Sequence, residues 1–438
     1  VGVFAKIGLG RPELRAWAMY DWANSVFITT VVSALFPPYF AEALATDASP
    51  EQATGRLALA TTIALAIIAV ASPLLGAIAD RRPVKKRLLA GFTVLGAGAT
   101  LGLATVGPGD WMLALVLFGI GNIAANGAFV FYDALLPHVA RPDELNRVST
   151  AGYALGYFGG GLFLALNAAM ILAPATFGLS GPSAAVSLSF ALAALWWLVF
   201  ALPLLRRIPE PPVSAEAAAG PWLAGAASDL LHTFRELRRF RQAALLLLAF
   251  LLYNDGIGTI YRMATAYGKE IGLGTGQLIT ALLIVQFVGI PATFAFGPMA
   301  DRLGPRRVIL AGLVVYGGVS VLAYFMTTAL HFFLLAGLVG LVQGGTQAIS
   351  RSLFASMIPR ARSSEFFGLF AVFEKFAGIL GPGLFALMIA LFGSSRPAIF
   401  SLIGFFVVGG ALLLRVDIAE GQRAAAEANA AEPATSSR

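Results

Sequence analysis

The sequence predicts an all-α membrane protein, with twelve transmembrane helices in two pseudo-symmetric six-helix bundles. Three observations carry that expectation. Of 438 residues, 58% are hydrophobic and 12% charged, and the mean hydropathy is +0.80, whereas soluble domains carry roughly 25% charged residues. The apolar residues fall into about twelve windows near the roughly 20-residue length of a spanning helix, separated by short loops rich in Arg, Pro, Gly or Asp. The loop "GAIADRR" (76–82) returns as "GPMADRL" (297–303), with Gly and Asp at the same separation, six windows later.

Span one, 17–42, is apolar yet carries Asp21, Asn24 and Ser25 at i, i+3 and i+4, one helical face. Span two, 54–79, runs into Gly76, Asp80 and Arg81. Span three, 88–107, has no strongly polar interior residue, whereas span four, 111–135, places Asn122, Asn126 and Asp133 on one face. Span five, 148–173, holds Asn167 and the small residues Gly152, Gly156, Gly159 and Gly160, which allow close helix crossings. Span six, 184–205, is apolar. A linker, 206–241, follows; its segment "DLLHTFRELRRFRQ" puts Leu230, Leu231, Phe234 and Leu237 on one face, as in an amphipathic surface helix, although a plain charged linker fits equally.

The second half repeats the plan. Span seven, 242–264, carries Asn254 and Asp255; span eight, 276–299, carries Gln286 and ends in Gly297, Asp301, Arg302 and Arg306. Span nine, 308–327, is apolar, and span ten, 331–353, aligns Gln343, Gln347 and Ser350, with Arg351 beside them. Span eleven, 366–391, contains Glu374 and Lys375 and then Gly378 and Gly381; span twelve, 397–415, is apolar, and 416–438 reads as a disordered cytoplasmic tail. The expected units are therefore bundles 1–205 and 242–415 joined by the linker.

Spans three, six, nine and twelve can face lipid, while one, four, seven and ten carry most polar residues and should face water or each other. Asp21, Asn24, Asn122, Asn126, Asn254, Asp255, Gln343, Gln347, Glu374 and Lys375 are the expected cavity residues. The alternative, polar groups joining helices by hydrogen bonds of ~0.6–2 kcal/mol each, stays open for any single amide. Adjacent residues on a helix point about 100° apart, so Glu374 and Lys375 are not expected to pair with one another, and Lys375 is expected to face the cavity.

With the N-terminus cytoplasmic, about four of the Lys and Arg residues fall on the outer side, namely Arg56, Arg262, Lys269 and Arg396. The net charge of +7 therefore reflects topology and argues against a nucleic-acid partner. There is no Cys, and His138, His232 and His331 lack ligand spacing, so neither disulfide nor metal site is expected. No cleavable signal segment is expected ahead of span one. No nucleophile–base set and no Gly-rich phosphate loop appears, which argues against an enzyme, an ATP-driven pump and any cofactor.

"GAIADRRPVKKR" and "GPMADRLGPRR" resemble the loop signature of the major facilitator superfamily, the first departing at Pro83. "YDWANSVF", "FLLYNDGIGTIYRMA", "GLVQGGTQAISRSLFA" and "EFFGLFAVFEKFAGILGPG" are similar to the bacterial branch of the vacuole effluxer family, relatives of fungal autophagy-associated amino-acid exporters. The resemblance, over about residues 12–415, implies an alternating-access carrier in the bacterial cytoplasmic membrane, both termini cytoplasmic, working as a monomer. It implies a cavity lined by helices one, four, seven and ten, and cytoplasmic latches in which Asp80 and Asp301 meet a helix N-terminus and a nearby Arg. Asp21, and Asp255 as its match, would couple protons or anchor a substrate amine; a salt bridge from Asp21 to Arg351 or Lys375 is the structural alternative. The implied substrate is an amino acid or similar small polar solute, possibly moved with protons; multidrug/proton antiport is the second reading.

Overall fold

The computed structural model describes residues 2–213, 239–377, 380–392 and 395–431. The spans are α1 (Pro12–Leu44), α2 (Pro50–Arg81), α3 (Lys85–Leu103), α4 (Trp111–Val139), α5 (Leu145–Leu172), α6 (Pro182–Arg207), α7 (Arg241–Glu270), α8 (Thr275–Leu303), α9 (Pro305–Tyr324) and α10 (Ala329–Ser356). They continue with α11, in two described pieces, Ser363–Phe376 and Leu380–Phe392, and α12 (Arg396–Leu414). Ten of these are apolar and long enough to cross a membrane by composition alone. The exceptions are α3, whose first turn is Lys85, Lys86 and Arg87, and the divided α11.

The contacts show the internal repeat directly. In the first half α3 packs on α4 and α6, α1 on α5 and α6, and α2 on α4; in the second, α9 packs on α10 and α12, α7 on α11 and α12, and α8 on α10. Each contact recurs with both partners six helices on. The halves meet through α5 against α8 and α10, and through α11 against α2 and α4, which are again equivalent pairs. Helices α3, α6, α9 and α12 stand outside this interface. Val94 on α3 is 62% exposed and Val314 on α9 is 74% exposed, as side chains facing lipid tails should be.

Two departures from regular helix matter. In α1, residues Phe27–Leu35 form wide turns, with the Phe36 amide donating to the Val31 carbonyl. Pro37 and Pro38 follow; a helical proline removes a donor and crowds the carbonyl four residues back, and a widened turn relieves that crowding. In α11 the first piece closes at Ala377, whose amide donates to the Phe373 and Lys375 carbonyls. The run Gly381-Pro382-Gly383 in the sequence disfavours one uninterrupted helix.

The tail expected to be disordered instead forms a helix, α13 (Ile418–Ala431). Its low hydropathy hides strong helix formers and an N-terminal cap, Asp417, whose carboxylate accepts the Glu420 amide at 2.9 Å. Gln242 of α7 holds Glu420 at 2.7 Å and the Asp417 amide at 2.9 Å, and Asn429 accepts the Arg360 amide at 2.8 Å, which ties α13 to the α10–α11 loop. The expected amphipathic helix at Leu230–Leu237 lies outside the described residues.

Because the chain contains no Cys, single cysteines can test the arrangement. Val314→Cys should resist a water-soluble methanethiosulfonate reagent and quench with nitroxide-labelled lipid tails, whereas Asn126→Cys on α4 should react with the reagent; reaction rates over a time course check both.

Candidate functional site

A cavity of about 310 Å³ lies between the halves. Its wall comes from α1, α4, α5, α7, α8, α10 and α11, and among the described residues none of α3, α6, α9 or α12 contributes. Amide and hydroxyl groups line its upper wall: Gln286 of α8 donates to Thr29 of α1 at 2.9 Å across the halves, while Gln343 and Gln347 descend α10. Its charged side chains are Asp21, Asp133, Glu374, Arg262, Arg351 and Lys375. A separate apolar hollow of about 90 Å³ among α7, α8, α9, α10 and α12 shares only Tyr261 with it and, among the described residues, holds no charged group.

The floor is built around Arg351, which is 2% exposed. Its Nη1 donates to Asp133 Oδ1 at 2.8 Å, its Nε to Ser149 Oγ at 2.9 Å and its Nη2 to the Ser149 carbonyl at 2.9 Å. Nη2 also lies 3.5 Å from Asp21 Oδ2, which accepts the Tyr132 hydroxyl at 2.9 Å. The guanidinium sits over the rings of Tyr153, Trp17 and Tyr132, at 4.4, 4.9 and 5.4 Å. One side chain of the second half thus engages α1, α4 and α5 of the first. Planar, multiply donating and weakly hydrated, a guanidinium suits such a buried hub far better than an ammonium would.

Below the floor, on the face where α2, α4, α8 and α10 end, two clusters join the halves. Asp80 accepts the Ser364 and Glu365 amides, at 3.2 and 2.8 Å, in the first turn of α11, and pairs with Lys85 at 2.8 Å. A carboxylate at a helix N-terminus satisfies amides that have no partner within the helix and meets the positive end of its dipole. Lys85 also reaches Ser363 at 3.2 Å and His138 at 3.4 Å. The second cluster pairs Asp301 with Arg147 at 2.5 Å and Asn146 at 3.0 Å, side chains rather than backbone amides. Each aspartate follows a glycine by four residues for a steric reason. A Cβ at Gly76 would lie 2.2 Å from the Ser364 carbonyl oxygen, and one at Gly297 would lie 2.5 Å from Thr150 Oγ1. The glycine lets the helices touch, and the aspartate one turn on then reaches across.

The structure brings together Asp21, Asn126, Gln343, Gln347, Glu374 and Lys375 in the cavity wall. It places Asn24, Asn122, Asn254 and Asp255 elsewhere. Asn24 is fully buried, Asn122 donates to the Phe118 carbonyl of its own helix at 3.0 Å, and Asn254 accepts from Gln347 at 3.4 Å behind the wall. Asp255 is fully buried and accepts the Gly381 amide at 2.9 Å, at the start of the second piece of α11. Aligning Tyr20 with Tyr253 puts Asn254 opposite Asp21 and leaves Asp255 about 100° away, so it is not the matching cavity acid.

Glu374 and Lys375 do pair, at 3.1 Å, contrary to expectation; their long side chains curl toward one another from divergent Cβ positions. Arg306 bonds the Val416 carbonyl within its own half, and Arg302 is exposed, so neither bridges the halves. Arg81 ends α2 beside Asp80. Arg351 belongs to the cavity floor rather than to a loop. Two site residues were missed. Asp133 lies on the polar face of span four, and its spacing from Asn126 is the signal; Arg262, two residues from the expected end of span seven, reads as an outer cation, whereas α7 runs on to Glu270 and carries it in the cavity wall.

The sequence profile described as "Vacuole effluxer Atg22 like" matches residues 50–146 and 143–426. The chain is 37% identical over 408 residues to the uncharacterized MFS-type transporter YxiO of Bacillus subtilis strain 168, covering 91% of this chain and 93% of that protein. It is 24% identical over 430 residues to autophagy-related protein 22 of Coccidioides immitis, covering 81% and 70%. Among solved structures, FucP in the outward conformation superposes with a TM-score of 0.69 at 14% identity, covering 93% of this chain and 100% of that one. The human organic anion transporter MFSD10 superposes with a TM-score of 0.67 at 16% identity, covering 94% and 100%.

Removing the Asp80 charge leaves Lys85 buried without its acid, and breaking a buried pair typically costs about 3–5 kcal/mol. Asp80→Asn should therefore lower the melting temperature and open the cavity to reagents from the Asp80 face, measured by labelling of Asn126→Cys from each side. Asp301→Asn, whose pair is partly exposed, should cost about 1 kcal/mol or less and give a smaller shift in labelling.

Proposed function

The chain belongs to the vacuole effluxer Atg22-like family of major facilitator superfamily transporters, and from that premise we propose a secondary carrier that moves amino acids or similar small polar solutes by alternating access. The reading rests on one observation: a charged cavity between the halves, separated from one face by groups that each bind across the same interface. Rocking the halves apart on that face breaks the Arg351, Asp80 and Asp301 contacts together, and closing the opposite face encloses the cavity. The face bearing these clusters is the cytoplasmic one on the positive-inside rule, in a bacterial cytoplasmic membrane.

The coupling ion on this reading is a proton, and the acids that carry it are Asp21 and Asp133. Both lean on Arg351. A proton on either carboxyl removes its charge and weakens its hold on a guanidinium belonging to the other half, so protonation favours separation of the floor. The multidrug/proton antiport reading fits less well, because the wall offers three acids and three bases, a balanced field rather than the net negative one that organic cations favour.

Reconstituted full-length protein tests this. With an imposed pH gradient, proteoliposomes should accumulate or expel at least one amino acid from a labelled panel, and organic cations should not move. Asp21→Asn and Asp133→Asn should each abolish gradient-driven accumulation while one-for-one exchange of labelled solute persists, since exchange needs no net proton movement. Normal accumulation by both variants would remove the coupling role; loss of exchange and of melting stability together would mark a purely structural one.

A further inference from the structure

The six charged side chains of the cavity divide by their ion pairs. Asp21, Asp133 and Arg351 make the floor, and Glu374, Lys375 and Arg262 stand where the first piece of α11 ends. Arg262 reaches the Ala377 carbonyl at 3.4 Å and has no acidic partner within salt-bridge distance among the described residues. Its guanidinium lies back over Gly258, where an added Cβ would come within 3.0 Å of it. Among the described residues Glu374 and Lys375 pair only with one another, at 3.1 Å, and their side chains keep 36% and 16% exposure.

That pair ties no two helices together, because both members come from neighbouring positions of α11. It places opposite charges side by side on the wall of a cavity whose volume sits at the lower end of the ~300–1,000 Å³ usual for small-molecule sites. The upper group holds two cations and one anion, and the floor two anions and one cation, so the cavity as a whole is neutral when all six are ionised. A lone cation entering at the upper group would take Glu374 and leave two bases without an acid. A lone anion would be met by Arg262 alone and would leave the Glu374–Lys375 pair closed on itself. A zwitterion engages all three side chains, replacing each partner of the pair one for one and leaving no charge unpaired, the condition a desolvated site imposes.

We infer that the solute is bound by exchange of the Glu374–Lys375 ion pair, its carboxylate passing to Lys375 and Arg262 and its ammonium to Glu374. The inference rests on the carrier reading above and adds to it the polarity of binding and the residue Arg262. A bound solute then stands between α7 and α11 in place of an internal contact of α11. Recognition requires both charges on one small molecule at the spacing of an α-amino acid, and masking either one gives up half of the exchange.

The test uses the full chain purified into lipid nanodiscs and three probes for each neutral L-amino acid: the free compound, its N-acetyl derivative and its methyl ester. Thermal stabilisation and competition against the labelled free amino acid are the readouts. At least one free amino acid should bind, and neither of its masked forms should compete at the same concentration. Lys375→Gln and Arg262→Gln should each weaken the free compound about tenfold or more and shift preference toward the methyl ester. Glu374→Gln should weaken it similarly and shift preference toward the N-acetyl form, and Lys375→Arg should retain binding, which guards against misfolding. Competition by masked forms as strong as the free compound, or wild-type binding in all three neutralising variants, overturns the inference while leaving the carrier reading intact. If no amino acid binds or moves in proteoliposomes, the amino-acid reading fails and this inference with it.

Discussion

A guanidinium inside a membrane protein must be neutralised where it stands, and in this fold Arg351 meets that requirement only by reaching into the other half. Burying a charge without partners costs several kcal/mol, so the position of Arg351 dictates where α1, α4 and α5 lie against α10. Asp133 and Asp21 supply charge, Ser149 supplies a hydroxyl and a carbonyl, and Trp17, Tyr132 and Tyr153 supply ring faces. None of these partners belongs to α10 itself. The floor therefore exists only while the halves are together, and it is absent from any arrangement in which they part at that level.

On the proposed cycle the rest of the molecule makes that parting a choice between two states. The glycines at 76 and 297 allow α2 to touch α11 and α8 to touch α5 closely enough for Asp80 and Asp301 to cross the interface. The two clusters are unequal. The Asp80 carboxylate is buried with Lys85 and two helix amides, while the Asp301–Arg147 pair is partly exposed and contributes less. Through Asn429 and Arg360, α13 braces the loop that leads into the α11 amides that Asp80 holds. On the proposed cycle the α2–α11 side therefore bears more of the locking than the α5–α8 side.

Much of this was legible in the sequence, because hydrophobic windows, helical spacing and repeated loops report one-dimensional facts. The twelve spans, the lipid-facing α3, α6, α9 and α12, and the Gly-xxx-Asp repeat follow from period and position alone. What escaped depends on rotation and on neighbours. Asn24 and Asn122 share a face with cavity residues by spacing, yet they turn into the bundle because a stripe a few residues wide subtends more than the cavity mouth. Asp255 looked equivalent to Asp21 by motif, and one residue of offset turned it onto the start of the second α11 piece. Arg262, at the expected outer end of span seven, reads as an outer cation, but α7 continues to Glu270 and holds it in the cavity wall. Backbone directions alone set Glu374 and Lys375 apart, and their long side chains override that divergence. The α13 helix was hidden by its low hydropathy, although its Ala and Glu content and Asp417 cap were in plain view.

The claim on which everything else rests is that Arg351 locks the halves on the basic face. Pairs of spin labels report this directly: one pair at Asp143 and Arg302 on that face, another at Gly109 and Thr328 on the opposite face, with distance distributions measured in lipid by double electron–electron resonance. In Arg351→Gln the first pair should move to longer distances and the second to shorter ones relative to the unsubstituted background. Unchanged distributions at both pairs, with the variant folded and in the membrane, would contradict the account.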